Sequence, residues 1–212
     1  MAAKVKICGL TRPEDAELAV SSGAWAIGLN FAPESRRRVD VETAAVIATA
    51  HRRRCEVAGV FVNAPLDDVL DVLGSVPLTI LQFHGEEGPS YCAEAARRSG
   101  LKVIKALPAK DAHAVRALSA YKTDFHMLDA YVPGRRGGTG ERFDWELAAA
   151  HPGRPPLLLA GGLTPENVGE ALAVAHPFAV DVAGGVEASP GVKDPDRLRR
   201  FFEAVEQAAA PA

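Results

Sequence analysis

The chain is poor in cysteine and has almost no net charge. Its 212 residues include three cysteines, Cys8, Cys55 and Cys92, an odd number at wide spacing. That pattern argues against a disulfide framework and against a structural zinc site. Lys and Arg total 24 against 27 Asp and Glu, a formal charge of -3. Without a basic excess, the composition gives no support to nucleic-acid binding.

Long apolar runs are also missing. No segment reaches the roughly 20 residues of a membrane-spanning helix, so no membrane contact is predicted. The opening MAAKVKICGL puts a lysine pair into a short apolar run, which predicts a first strand rather than a signal peptide. Hydrophobic residues at 48% are ordinary for a globular protein that can form a sizeable core. We expect a soluble protein of the reducing cytoplasm.

No linker divides the sequence. Glycine and proline are spread evenly, and no Ser/Gly-rich spacer or break in composition occurs. A chain of this length fits one large domain or two small ones. A single domain over residues 1–212, with a frayed tail at 208–212, is the simpler prediction.

Short apolar or β-branched runs alternate with segments of helical character. Strands are predicted at 4–8, 25–30, 56–62, 78–83, 101–106, 124–129, 156–160 and 178–183. Helices are predicted at 13–22, 41–51, 65–73, 89–98, 111–120, 143–150, 165–174 and 195–209. Three of these helices follow a start signal, namely Thr11 before Pro13, Thr164 before Pro165, and Asp194 before Pro195.

Strict alternation predicts an α/β fold with a parallel sheet and external helices. Eight strand–helix units of about 26 residues each would close into a (β/α)8 TIM barrel, at the small end of its usual range. The alternative is a doubly wound open sheet. It needs fewer strands and usually a glycine-rich dinucleotide turn after the first strand, where this chain has Cys8-Gly9-Leu10-Thr11.

Polar residues stand near the carboxyl ends of the predicted strands, which is the working face of such a barrel. They are Cys8, Asn30, Gln82, His84, Asp129 and Asp181. Because side chains alternate along a strand, Lys6 and Cys8 are predicted to face the interior, as are Asp129 and Asp181. A thiol and two carboxylates would then converge at the top of the barrel. A buried carboxylate is costly unless it is paired or functional.

Glycines cluster after the last three strands. They occur at 137–140, at Gly161 and Gly162, and at Gly184 and Gly185. Loops after the seventh and eighth strands, with a short extra helix, form the recurrent phosphate site of this fold. The segment 187–191 is long enough for that helix. These features predict a phosphorylated small-molecule ligand.

Seven motifs together resemble the phosphoribosylanthranilate isomerase family, in its order and over essentially the whole chain. They are KICGLT at 6–11, PESRRRV at 33–39, GVFVN at 59–63, LQFHGEE at 81–87, GGTG with FDW at 137–145, AGGLTPENV at 160–168, and AVDVAGGVE with SPGVKD at 179–194. The resemblance implies a tryptophan-pathway enzyme without a cofactor. Its reaction is the Amadori rearrangement of N-(5-phosphoribosyl)anthranilate to 1-(2-carboxyphenylamino)-1-deoxyribulose 5-phosphate.

The resemblance also assigns roles to residues. Asp129 matches the general acid that opens the ring, and Cys8 matches the general base that takes the C2′ proton. Arg37 matches an arginine near the aminobenzoate, and Asp181 matches a substrate-positioning carboxylate. The glycines Gly161, Gly162, Gly184 and Gly185 match the phosphate site, although serines are expected where this chain has 183–185. From their place at a strand end, Gln82 and His84 are interpreted as substrate-binding groups.

Other interpretations remain open at this point. The isomerase could also accept the aminoaldose of the histidine pathway, or the chain could be a non-catalytic barrel that binds a phosphorylated metabolite. A thiol such as Cys8 is often inert in a strand, Cys55 and Cys92 are taken as inert, and His126 is expected to face the helices. The chain is expected to act as a monomer or homodimer. No motif with metal-ligand spacing is found.

Overall fold

A closed barrel of eight parallel strands forms the centre of the molecule. The computed structural model describes residues 3–129 and 144–209. Each strand pairs with its neighbours in chain order, and β8 pairs with β1 to complete the ring. This confirms the predicted (β/α)8 barrel and excludes the open sheet. The strands are β1 (Lys4–Cys8), β2 (Ala26–Asn30), β3 (Glu56–Phe61), β4 (Ile80–Phe83), β5 (Lys102–Pro108), β6 (Phe125–Asp129), β7 (Leu157–Leu159) and β8 (Ala179–Val182).

Helices connect the strands on the outside. They are α1 (Pro13–Ser21), α2 (Val41–His51), α3 (Leu66–Ser75), α4 (Pro89–Ser99), α5 (Ala112–Arg116), α6 (Val168–Ala175) and α7 (Pro195–Ala209). Two predicted helices were wrong in type or extent. The predicted helix 143–150 is a 3-10 helix over Trp145–Ala150, and α5 gives way to a 3-10 helix at Ala117–Ala120.

Local side-chain caps explain several helix boundaries. The carboxylates of Asp40 and Asp111 accept hydrogen bonds from the backbone N–H groups three residues later, and Asp194 caps α7 in the same way. Thr11 does not cap α1, because the N-cap position is Arg12, one residue later; the Thr11 hydroxyl donates to the carbonyl of Gly191. Thr164 begins a turn rather than a helix, so α6 starts only at Val168.

The apolar core is divided by the barrel wall. Alternating side chains point inward, such as Met127 and Leu158, or outward against the helices, such as Leu128 and Val180. At the amino ends of the strands, the rings of Trp25, Phe125 and Phe178 pack with centroids 5.3–5.7 Å apart. This aromatic cluster fills one end of the barrel, so a site inside it must open at the carboxyl ends.

The loop after β8 differs from its prediction. A 3-10 helix occupies Gly184–Val186, and residues 187–193 form a hairpin of β9 (Glu187–Ser189) and β10 (Val192–Lys193). The helix expected at 187–191 was therefore wrong. Gly191 has a φ of +84°, a conformation that suits the tight turn and that glycine adopts without strain. Within 3–129 and 144–209, no helix is both long and apolar enough to cross a membrane.

Candidate active site

Lys6 and Asp181 form an ion pair inside the barrel. They are register partners on β1 and β8, and Lys6 Nζ lies 2.8 Å from Asp181 Oδ1. Lys6 is fully buried and Asp181 nearly so. Burial disfavours the charge of Lys6, but Asp181 and Cys8 outweigh it and raise the pKa of the ammonium group. Lys6 is therefore charged at neutral pH.

Cys8 lies two residues beyond Lys6 on the same face of β1. Gly28, its partner on β2, leaves the space that both side chains use. A Cβ atom on Gly28 would lie 2.7 Å from Cys8 Sγ and 3.0 Å from Lys6 Nζ. Burial raises the pKa of the Cys8 thiol, and the positive charges of Lys6 and Lys193 oppose that rise. The lysines thus reduce, without cancelling, the cost of a thiolate at this position.

Asp129 contacts a short chain of polar side chains at the end of β6. His84 Nε2 lies 3.0 Å from Asp129 Oδ2, and Gln82 Nε2 lies 3.0 Å from His84 Nδ1. Because an amide nitrogen donates, His84 Nδ1 accepts, and this assigns the imidazole proton to Nε2, facing the carboxylate. The structure thus brings Gln82, His84 and Asp129 together at the mouth of the barrel.

Arg37 crosses the loops that follow β1 and β8. Its side chain packs on Gly9, whose φ is +73° and where a Cβ would lie 2.4 Å from Arg37 Cδ. The guanidinium makes a bidentate ion pair with Glu187, at 2.8 Å from Nε to Oε1 and 2.7 Å from Nη2 to Oε2. Arg37 is therefore held at the rim of the site by Glu187.

Glu187 and Lys193 are site residues that the sequence did not reveal. Both are buried in the hairpin, and Lys193 Nζ lies 2.9 Å from Glu187 Oε1. The same ammonium group donates to the carbonyls of Cys8 and Ala183 at 2.7 and 3.1 Å. Both residues lie within the final family motif, so the sequence marked this segment as important. Their spacing in the sequence, however, does not show which side chains they bind.

Three of the four predicted phosphate glycines, Gly162, Gly184 and Gly185, line one cavity. Gly161 and Gly162 follow β7, and Gly184 and Gly185 form the start of the 3-10 helix after β8. A cavity of about 390 Å³ is lined by Gly162, Thr164, Gly184, Gly185, Arg197 and Arg200, among others. Backbone N–H groups at such a helix start suit an anion. The glycine-rich segment 137–140, noted in the sequence after the sixth strand, lies outside the described residues.

The remaining candidate groups have structural partners. Asn30 Oδ1 accepts a hydrogen bond from the N–H of Ala32, and His126 faces the helices, as predicted. Burial raises the pKa of both Cys55 and Cys92 to about 11, which suits inert thiols. Within 3–129 and 144–209, no three His, Cys, Asp or Glu residues are grouped to hold a metal ion.

Comparison with known proteins identifies the family. The family model of N-(5'-phosphoribosyl)anthranilate isomerase matches residues 5–204. The N-(5'-phosphoribosyl)anthranilate isomerase of Citrifermentans bemidjiense is 47% identical over 199 residues, which cover 94% of this chain and 95% of that protein. The crystal structure of phosphoribosyl anthranilate isomerase from Thermus thermophilus is 40% identical, with a TM-score of 0.87 over 96% of this chain and 98% of that one.

A second solved structure contains a ligand. It is a phosphoribosyl anthranilate isomerase in complex with reduced 1-(o-carboxyphenylamino)-1-deoxyribulose 5-phosphate, 38% identical, with a TM-score of 0.83 over 97% of this chain and 99% of that one. Fold and relatives define an aldose–ketose isomerase built on a (β/α)8 barrel. Within that class, the chain belongs to the N-(5'-phosphoribosyl)anthranilate isomerase family.

Proposed function

We propose that this chain converts N-(5-phosphoribosyl)anthranilate into 1-(2-carboxyphenylamino)-1-deoxyribulose 5-phosphate in tryptophan biosynthesis. The observation that carries the proposal is the position of the buried Cys8 thiol and the buried Asp129 carboxyl group at the carboxyl ends of β1 and β6 in one closed barrel. The relative crystallised with reduced 1-(o-carboxyphenylamino)-1-deoxyribulose 5-phosphate supports the substrate. The rearrangement needs one acid and one base and no net redox change.

Asp129 acts as the general acid. It protonates the ring oxygen, the furanose C–O bond breaks, and the electrons of the aminobenzoate nitrogen form a Schiff base. His84 orients this carboxyl group through Oδ2, and Gln82 fixes the proton of His84 on Nε2. An oriented acid contributes about 10²–10⁴-fold in general acid–base catalysis.

Cys8 acts as the general base. Its thiolate takes the proton from C2′, the electrons of that C–H bond neutralise the Schiff base, and an enolamine forms. Tautomerisation of the enolamine then gives the ketone. Because burial raises the pKa of Cys8, the reaction depends on the positive charges of Lys6 and Lys193, which favour the thiolate.

Substrate contacts come from the rim of the barrel. Arg37 binds the anthranilate end, and Asp181, Gln82 and His84 line the space around the sugar. Gly161, Gly162, Gly184 and Gly185 bind the phosphate through backbone N–H groups. Since residues 183–185 carry no hydroxyl group, no side chain there adds a hydrogen bond to the phosphate.

The test is a fluorescence assay that follows the loss of the anthranilate substrate. Cys8→Ala and Asp129→Asn should each lower kcat by at least about 10²-fold, in line with general acid–base catalysis. Cys92→Ala is the matched control, because it removes a buried thiol on α4 away from the site. Turnover like that of the wild type in either site variant contradicts the acid–base assignment.

Separate assays with each of the two substrates distinguish the alternatives. Turnover of the histidine-pathway aminoaldose by the wild type would identify a bifunctional isomerase. A non-catalytic barrel would bind the product without ever forming it. The glycine-lined cavity in the loops after β7 and β8 is a candidate site for one phosphate group, which favours the substrate with a single phosphate.

We further propose that the chain acts in the cytoplasm as one domain, either a monomer or a homodimer. Among the described residues, the large apolar side chains classed as exposed are Val46 and Val174, on different helices. They form no extended apolar surface, which suits either state. Light scattering on a sizing column distinguishes the two masses.

A further inference from the structure

Glu187 holds Arg37 although 150 positions separate them in the sequence. Its side chain is only 4% exposed, and both carboxylate oxygens are in use. Oε2 accepts from Arg37 Nη2, while Oε1 accepts from Arg37 Nε and Lys193 Nζ. Such a buried, bidentate pair fixes the plane of the guanidinium as well as its position.

Arg37 is confined on its other sides too. Its methylene groups pack against Gly9, and a Cβ on Gly184 would lie 3.2 Å from Nη2. Among the described residues, none accepts a hydrogen bond from Nη1. The side chain is 18% exposed, so this edge of the guanidinium is available for a ligand at the rim.

The local charge favours an anion. Arg37 and Lys193 contribute two positive charges against the single negative charge of Glu187. Lys193 uses its remaining hydrogen bonds on the carbonyls of Cys8 and Ala183, which end β1 and precede the glycines after β8. Glu187 is thus fixed to the barrel while it holds Arg37.

We propose that Glu187 is a positioning residue for substrate recognition, which aims Arg37 Nη1 at the carboxylate of the aminobenzoate ring. This inference rests on the proposed isomerase function. Without Glu187, the arginine side chain would have to be ordered by the substrate at each binding event, and binding would weaken. Glu187 bonds to Arg37 and Lys193 rather than to the reacting groups themselves, so KM should change far more than kcat.

The experiment compares Glu187→Gln with wild type in the fluorescence assay. We expect KM to rise about tenfold and kcat to change less than about threefold, as for a lost charge-assisted contact. In an Arg37→Met background, Glu187→Gln should raise KM no further, because the two residues act as one unit. Glu17→Gln is the matched control, since Glu17 makes a bidentate pair with Arg54 on the surface, and its kinetics should stay unchanged.

A second background, Lys193→Met, distinguishes an effect on protein stability from an effect on substrate recognition. Glu187→Gln leaves Lys193 buried without a carboxylate, so the comparison is repeated in Lys193→Met, where that charge is absent. A rise in KM in both backgrounds supports the proposal. An unchanged KM, a loss confined to kcat, or an equal further rise in the Arg37→Met background overturns it. A wild-type chain without turnover would overturn the isomerase function and this inference together.

Discussion

Lys6 and Asp181 face each other across the seam where the first and last strands of the barrel meet, with 2.8 Å between Nζ and Oδ1. Lys6 has no exposed surface, so its charge depends entirely on protein groups. A buried ion pair stabilises a fold only weakly compared with an apolar pair, but removal of one partner is expensive. The seam therefore needs either both charges or neither.

We expect Asp181→Asn to lower the free energy of unfolding by about 3–5 kcal/mol, because it leaves an unpaired ammonium group inside the barrel. The double variant Lys6→Met with Asp181→Leu should recover most of that loss and still lack turnover. Urea denaturation of the three proteins measures the difference. A double variant that loses as much stability as Asp181→Asn, or more, would contradict this expectation.

Gly28 makes room for the thiol. We expect Gly28→Ala to cost about 1–3 kcal/mol of stability and to reduce kcat strongly, because the new methyl group displaces Cys8 Sγ or Lys6 Nζ. Gly74→Ala is the control, since α3 has open space at that position, and it should gain about 0.5–1 kcal/mol. Thermal unfolding and initial rates measure both variants. Full activity in Gly28→Ala would mean that the close contact is not needed.

The pH profile should report the environment of Cys8. Burial raises the pKa of this thiol, so kcat/KM should increase with pH into the alkaline range as the thiolate forms. Lys6→Met removes an opposing positive charge, and the rise should move to still higher pH, while Lys102→Met on the surface should leave it in place. A profile that moves to lower pH in Lys6→Met contradicts this role of Lys6.

Two histidines on the outer, helix-facing side of the barrel should lower the free energy of unfolding in acid. Gly153 donates to His151 Nδ1, His151 Nε2 lies 2.9 Å from His126 Nδ1, and His126 Nε2 lies 3.0 Å from the carbonyl of Tyr121. Because His151 Nδ1 accepts from Gly153, the His151 proton is on Nε2, and it is donated to His126 Nδ1. His126 then carries its proton on Nε2 and donates it to the Tyr121 carbonyl, so both rings are neutral. Burial lowers the pKa of His151 to about 4 and also lowers that of His126.

Because the folded state resists protonation, the unfolded state binds more protons below its own pKa of about 6.5. The free energy of unfolding should therefore decrease as pH falls from about 6.5 towards 4. His151→Asn should make this decrease shallower, whereas the exposed His113→Asn should not. Denaturation at a series of pH values measures the slopes, and equal slopes in wild type and His151→Asn would refute the assignment.

The barrel and much of the rim could be predicted from sequence because they depend on local patterns. Alternation of apolar residues identified the inward faces of β1, β6 and β8, and the capping carboxylate of Asp194 marked the start of α7. Thr11 was misjudged because the N-cap position of α1 is Arg12, one residue later, and the Thr11 hydroxyl donates to the carbonyl of Gly191, 180 positions away. Local capping rules do not include so distant a partner.

The least predictable part was the hairpin at 187–193. Its conformation depends on the burial of Glu187, and that burial depends on Arg37 and Lys193. Ion pairs between distant residues have no periodicity, so the segment was predicted as a helix from its length alone. The hydrogen bond between His84 and Asp129 could not be predicted either, because their positions at strand ends predict that the residues are close but not which atoms form contacts.

The closing of the barrel by β1 and β8 also determines when the site can exist during synthesis. The thiol of Cys8 leaves the ribosome before its partners, and Asp181, Glu187 and Lys193 follow about 170 to 190 residues later, after most of the barrel. Until then Lys6 has no counterion, and burial of its unpaired charge in a closed barrel would cost about 3–5 kcal/mol of free energy. The growing chain therefore cannot complete its working face until β8 has pairing contact with β1.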